Sequence, residues 1–596
     1  MKRKRQQKLK DLLDLSVVLI IVILGNLLSA QYYTKWDLTQ EKKYTLSNTS
    51  KELASKVGEN DYIFIKVYLE GNLSPKFKQL RSATLDILQN FRDLSGKNIH
   101  FEFVDPIAGK TNEEKQKIFM DFEQKGLRPY DDIDDSDIER MSRNLIIPGA
   151  EVFYGEGKSF TLYLLKTELG LANEENINQS IENLEYELAH ALRKCLSDQQ
   201  KKIGFLTGHG ELEPLQIYDL QKELGSFYRV DDLDIRVNNP ENLKVYESLL
   251  KDDEGDARII LTGLQKRINQ YDAVVVAKPR TDISREEAFL IDQYTLQGGK
   301  MIWLIDALQA EIDSLSATGK MICPDYPLEN IRELLFNQGV RVNLDLLQDF
   351  RCNDIKLRDP YSGNSYRNFP WVYYPIFTAH PSLSNHPINK NIEAVWSRFG
   401  GTLKIIGREE VKTTPLLLSS DRTKVSNAPA LVEFAIIDKI RSQDPGFLRT
   451  FNAGYQVTGV LMEGTFHSSF ARRIGVRSDI PFIEKGNSQV IVLADGDLAR
   501  NHVNSQGGYL ELGKDHITGR YFGNKKFLLN CFDYMLDDLG LIEIRSKEII
   551  LRLLDKEKIK NSKTFWQFFN LGIPVIAIIL FGIINTLIRR RKYAHP

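Results

Sequence analysis

The stretch from Ala273 to Ile305, AVVVAKPRTDISREEAFLIDQYTLQGGKMIWLI, decides the fold class. Ala273 to Ala277 is an unbroken apolar run, rich in β-branched residues and stopped at Pro279, which predicts a strand buried on both faces. Ser284-Arg285-Glu286-Glu287 is a capping box that opens a helix, and Gly298-Gly299 ends it. Met301 to Ile305 is a second apolar strand. Upstream, Lys202-Ile203-Gly204-Phe205-Leu206-Thr207 reads as a short buried strand. Downstream, Gln489 to Ala494 (QVIVLA) reads as another and ends at Asp495-Gly496-Asp497. Buried strands alternating with helices predict a doubly wound parallel sheet over residues 200–545. Within it, the proline-containing stretch 310–485 is expected as an irregular insertion or subdomain.

A smaller unit is expected over residues 36–170. The strand Ile63 to Leu69 is followed by Gly71 and Pro75, then by a helix carrying Phe77, Leu80, Leu85, Leu88 and Phe91. Alternating Ile99, Phe101 and Phe103 form the next strand, which makes this a βαβ N-terminal domain. A hairpin follows around Gly155-Glu156-Gly157. Residues 173–197 form an amphipathic connector helix with Ile177, Ile181, Leu184, Leu188 and Leu192 on one face. The expected architecture is thus a two-domain α/β body.

That body is expected to lie between two membrane helices. No charge interrupts Leu15 to Thr34, which as a helix reaches roughly 30 Å, the thickness of a hydrocarbon core. A cleavable signal peptide is the rival reading, with Ser29-Ala30 near a cleavage point, but Leu28 would occupy its −3 position, where a small residue is needed. The second segment, Thr564 to Ile588, contains Pro574, which membrane helices tolerate, and runs into Arg589, Arg590, Arg591 and Lys592. The first span follows a basic tail, residues 1–14, with Lys2, Arg3, Lys4 and Arg5, and the chain closes on a second, residues 589–596. Basic flanks on both spans predict cytoplasmic termini, a periplasmic body and residence in the inner membrane. Lys556, Lys558 and Lys560 weaken the contrast at the second span.

Composition narrows the function classes. Of the 596 residues, 42% are hydrophobic and 27% charged, as in a folded protein, and a net charge of −1 gives no global field for nucleic acid. The four cysteines, Cys195, Cys323, Cys352 and Cys531, contain no C-x-x-C pair, which argues against a zinc site. Whether Cys323 and Cys352 pair is left open, beside the reading of all four as buried thiols. Gly157-Lys158-Ser159 resembles the end of a phosphate loop, but Val152 stands where the first glycine belongs, and the context is a hairpin. Gly155-x-Gly157 and Gly208-x-Gly210 each lack the third glycine of a dinucleotide fingerprint. G-x-S-x-G and H-E-x-x-H do not occur. His380 and His386 each precede a proline and read as turn residues. The acidic run Asp131 to Glu139 lacks the glycine and terminal glutamate of a calcium loop. No cofactor, metal or catalytic residue is expected.

Two loops stand out as ligand or partner sites. Gly208, His209, Gly210 and Glu211 follow one strand of the parallel sheet, and Asp495 and Asp497 follow another, at the carboxyl ends where open α/β sheets bind ligands. The competing reading makes the glycines turn residues and the acids helix caps.

Several segments in order along the chain resemble the GldG family, the gliding-motility-associated ABC transporter auxiliary proteins of Bacteroidetes. They are Lys43-Tyr44-Thr45-Leu46-Ser47, Val67-Tyr68-Leu69-Glu70-Gly71, Leu184-Glu185-Tyr186-Glu187-Leu188-Ala189, Phe205-Leu206-Thr207-Gly208-His209-Gly210-Glu211, Asp292-Gln293-Tyr294, Asp495-Gly496-Asp497, Ile544-Arg545-Ser546-Lys547-Glu548 and Leu553-Leu554-Asp555-Lys556-Glu557-Lys558. The resemblance implies a large domain similar to one in an intraflagellar-transport protein, itself like a class I glutamine amidotransferase without its catalytic residues. It also implies a GldF-like permease and a GldA-like cytoplasmic ATPase as partners, and links the family to gliding and type IX secretion. The expectation is a non-enzymatic auxiliary subunit of an ABC transporter in the lipid bilayer. The alternatives are an extracytoplasmic glycan- or peptide-binding receptor and, behind it, a degenerate hydrolase or amidotransferase.

Overall fold

The computed structural model describes residues 16–25, 45–58, 62–133, 143–165, 173–196, 200–240, 256–358, 365–378, 386–471, 481–537 and 562–593, apart from isolated positions within them. Residues 1–547 form one compact unit and 548–596 a second. The structure is mixed α/β with several sheets.

In the N-terminal part, β1 (Ile63–Val67) and β2 (Ile99–Phe103) pair in parallel across helix α1 (Pro75–Leu94). Two further strands, β3 (Gly149–Tyr154) and β4 (Lys158–Tyr163), form the hairpin, and β3 runs antiparallel to β1. Lys158 and Ser159 therefore lie on a strand, while Gly157 is outside the described residues. Helix α2 (Asn173–Leu196) buries Ile177, Ile181, Leu184, Leu188 and Leu192 in the same core as Ile63, Ile65, Phe77 and Phe91.

A polar contact ties α2 to the helix Asn524–Leu536. The buried Asp533 carboxylate accepts from the Tyr186 hydroxyl at 2.5 Å and from the Tyr228 hydroxyl at 3.1 Å. Removing one donor leaves a buried carboxylate under-satisfied. Tyr186→Phe is therefore expected to lower stability by about 1.5 kcal/mol in a denaturant titration, and an unchanged midpoint would contradict this.

The main sheet has seven strands: β5 (Lys202–Leu206), β6 (Arg229–Leu233), β7 (Ala273–Ala277), β8 (Lys300–Leu304), β9 (Val411–Leu418), β10 (Val457–His467) and β11 (Lys485–Leu493). Their order is β9-β10-β11-β8-β7-β5-β6. The pairs from β11 to β6 are parallel, and β10 is antiparallel to both its neighbours. Alternate side chains of β7 enter opposite cores. Val274 and Val276 join one containing Trp303 and Met301, and Ala273, Val275 and Ala277 join one containing Phe205 and Ile302. Both faces are dry, which is why the strand reads as an unbroken apolar run.

The stretch 310–485 carries regular structure. It supplies β9 and β10 to the main sheet and adds smaller antiparallel pairs, among them Lys320–Cys323 with Ala430–Glu433 and Cys352–Arg358 with Tyr366–Phe377. All four cysteines are free thiols. His386 caps a short 3-10 turn, its Nδ1 accepting from Ile388 N at 3.3 Å; His380 and residues 134–139 of the acidic run lie outside the described residues.

In the second unit the described helix is Lys563–Tyr593, and its segment Phe565–Ile588 is long and apolar enough to cross a membrane, with none of it buried. Of the first apolar segment only residues 16–17 and 19–25 are described, as exposed helix.

Candidate functional site

Strand order places a crevice at the carboxyl edge of the main sheet. From β5 the chain passes outward to β6, then returns past β5 to β7 and β8. Helix α3 (Pro214–Gly225), which follows β5, packs on one face through Ile217, Leu220 and Leu224. Helix α4 (Arg285–Leu296), which follows β7, packs on the other through Phe289, Ile291 and Tyr294. Connections that diverge in this way open a gap between neighbouring loops, the usual place for a ligand in an open α/β sheet.

The loop after β5 is bolted in place. Both ring nitrogens of His209 meet carboxylates, Nδ1 with Glu211 Oε1 at 3.3 Å and Nε2 with Glu287 Oε2 at 3.0 Å, and the ring is buried. Burial opposes its charge, but hydrogen bonds and charge from Glu211 and Glu287 outweigh it and raise the pKa to about 9. Glu287 is also the third residue of α4, where it completes the capping box with Ser284. The His209 carbonyl accepts from the amides of Arg280 and Thr281 at 2.8 and 2.9 Å, which fastens this loop to the one after β7. Gly208 has φ +110, and a Cβ there would stand 2.2 Å from Arg236 Nε, so this turn requires glycine. The arrangement favours the turn-and-cap reading of Gly208, His209, Gly210 and Glu211.

The loop after β11 meets a residue that sequence reasoning missed. Lys278, directly after β7, is fully buried at φ +60. Its Nζ lies 2.9 Å from Asp497 Oδ2, 3.0 Å from Asp306 Oδ2 and 3.1 Å from Glu311 Oε1. Burial favours the neutral amine, yet Asp306, Asp497 and Glu311 overcome it and raise the Lys278 pKa. Asp497 is likewise held below the usual carboxylate range, since Lys278, Arg398 and Arg500 outweigh its burial. Burial pushes Asp306 up to about 6 against the pull of Lys278. Asp495 goes up to about 7 through burial, with repulsion from Asp306 and Asp497 added.

Asp495 is a structural cap. It accepts from Asp497 N at 2.7 Å to start the turn Gly496–Ala499, and from Arg398 N at 2.8 Å to hold the segment after Trp396. Arg500 completes the cluster at 3.3 Å from Asp497 and 3.4 Å from Glu311. The signal available in sequence was a lysine placed between an all-apolar strand and a proline, at what had to be a carboxyl end.

A cleft of about 380 Å³ opens beside this cluster, lined by Glu311, Asp497 and Arg500 and by Trp396, Arg398 and Tyr374 from the stretch before β9. Among the described residues no group of three or more His, Cys, Asp or Glu has the arrangement of a metal site. Lys278 is locked as an ammonium and His209 has no ring nitrogen left to accept a proton, so neither can serve as nucleophile or base.

Residues 200–531 match the family described as an ABC-type uncharacterized transport system, and residues 40–153 match a domain of unknown function. The chain is 22% identical over 608 residues to an uncharacterized protein of Borreliella burgdorferi, covering 99% of this chain and 100% of that one. Among solved structures it is similar to the mmIFT52 N-terminal domain, with a TM-score of 0.30 and 13% identity over 56% of this chain and 98% of the other. It is also similar to Gan42B, a GH42 beta-galactosidase, with a TM-score of 0.16 and 8% identity over 50% of this chain and 39% of that one. The family match spans the sheet, the ion cluster and the cleft, and the chain belongs to the ABC-type transport-system auxiliary family.

Proposed function

We propose that the chain is a non-enzymatic, membrane-anchored auxiliary subunit of an ABC transporter. The observation that carries this reading is the family match over residues 200–531, which takes in the whole main sheet. Two further points support it. Phe565–Ile588 has the length and apolarity of a membrane span and is followed by Arg589, Arg590 and Arg591. At the carboxyl edge the buried His209 and Lys278 are held in ion pairs with Glu287 and Asp497, which suits a structural role for both. In this reading Leu15 to Thr34 is a second anchor, both termini are cytoplasmic and the α/β body is periplasmic. A GldF-like permease and a GldA-like ATPase supply passage and energy, and the resemblance to GldG points to gliding motility. Topology is the test. A phosphatase that is active only outside the cytoplasm should be silent when fused after Pro596 and active when inserted between residues 250 and 251. Activity at the C-terminus would overturn the orientation.

The second reading, an extracytoplasmic receptor for a glycan or peptide, is favoured by the cleft at the sheet's carboxyl edge.

A further inference from the structure

The cleft has a composition that selects for charge. One wall is aromatic: Tyr374 packs edge-on to Trp396 at 5.8 Å and to Phe399 at 5.3 Å, and all three are buried. Two of its three acids are already neutralised, while Asp313 has no ion pair among the described residues. Asp497 is paired with Lys278 and Arg500, and Glu311 with Lys278, Arg280 and Arg500.

Arg398 differs from the other cations. Its guanidinium lies over the Trp396 ring at 4.9 Å and donates through Nη2 to the Arg500 carbonyl at 2.9 Å. Among the described residues no carboxylate comes within ion-pair distance of it, and Nε and Nη1 have no hydrogen-bond partner. Lys356, exposed on the rim, also has no ion-pair partner among the described residues. His502 and His516 stack at 3.8 Å on the same cleft, and burial lowers the pKa of both, so they stand as neutral donors and acceptors.

A guanidinium with open donors, placed over an indole and attracted to Asp497 without an ion-pair contact, can present its planar fork to an oxyanion. The adjoining aromatic wall gives the rest of such a ligand a surface to pack against. We propose that this cleft binds a small organic anion, with its carboxylate or phosphoryl group on Arg398 and its body against Trp396. This deepens the receptor reading and does not depend on the transporter assignment, so a failure to bind leaves co-purification of a permease untouched.

The test is calorimetric titration of the full chain in detergent with phenyl phosphate, benzoate and neutral benzyl alcohol. One of the two anions should bind with a dissociation constant below about 10 mM, and benzyl alcohol about tenfold more weakly. Which anion binds separates the phosphoryl from the carboxylate source. Arg398→Ala should weaken binding about tenfold or more, with Arg398→Lys between it and the wild type, because an ammonium keeps the charge but loses the fork. Lys356→Glu reverses a rim charge on an exposed side chain, so folding is spared, and it should weaken binding about threefold at low salt. Anions that bind no better than benzyl alcohol, or that bind wild type and Lys356→Glu equally, would overturn the proposal.

Discussion

Replacing Lys278 with methionine is expected to destabilise the main-sheet unit by about 3–5 kcal/mol, because it strands buried carboxylates that the ammonium now compensates. Methionine fills much of the same volume, so the loss would come from charge and not from a cavity. Asp306 and Asp497 are 2% and 6% exposed, and water cannot take over the lysine's part. The lysine also holds a left-handed backbone conformation that commonly costs about 1–3 kcal/mol, which only a strong set of contacts sustains. A denaturant titration of the detergent-solubilised chain, followed by the fluorescence of buried Trp303 and Trp371, would measure the effect. Pairing the change with Asp497→Asn should recover part of it, since one stranded charge is removed. A Lys278→Met chain within about 1 kcal/mol of wild type would sink the claim that this cluster holds the sheet's edge together.

The second large effect is a pH dependence centred on His209. Its pKa is raised from 6.5 to about 9 in the folded chain, so the folded state binds a proton that the unfolded state releases. That contribution is fully present below about pH 6.5 and disappears as pH rises through 9, for a change on the order of 3 kcal/mol. In His209→Gln the amide can still reach one carboxylate but carries no charge. Its stability should be lower than wild type at pH 6 and approach it by pH 9.5. Comparing the two chains cancels the titration of Asp306 and Asp495, whose raised pKa values act on stability at lower pH. Parallel stability–pH curves for the two chains would mean that His209 is not held as an imidazolium.

The parallel strands at the centre of the sheet were legible because burial on both faces leaves nothing polar in them, as in AVVVA and QVIVLA. The sheet's outer strands were not. In β6, RVDDL has charged residues on a strand at the sheet's edge. In β9, Pro415 interrupts the apolar pattern and sits at a shift in pairing register, which an edge strand tolerates because its far side needs no donor. The stretch before β9 looked irregular for a related reason. Apart from the local pair Cys352–Arg358 with Tyr366–Phe377, its strands are short, antiparallel and paired with partners far away in sequence, such as Asp345–Asp349 with Thr423–Asn427.

Site residues divided in the same way. Asp495, Asp497 and His209 could be named because each follows a recognisable strand. Lys278 could not be weighed without Asp306, Glu311 and Asp497, which lie on two other loops. Arg398 comes from a segment whose place beside the sheet is set by Asp495. Local pattern locates the ends of strands, but which charges meet there is decided by strand order.

Tagging the chain, solubilising native membranes in mild detergent and weighing the intact complex by native mass spectrometry tests the central claim most directly. An auxiliary transporter subunit should be recovered with a multi-span permease and a nucleotide-binding ATPase in fixed ratio. Recovery of the chain by itself, from membranes in which both of those proteins are present, would contradict it.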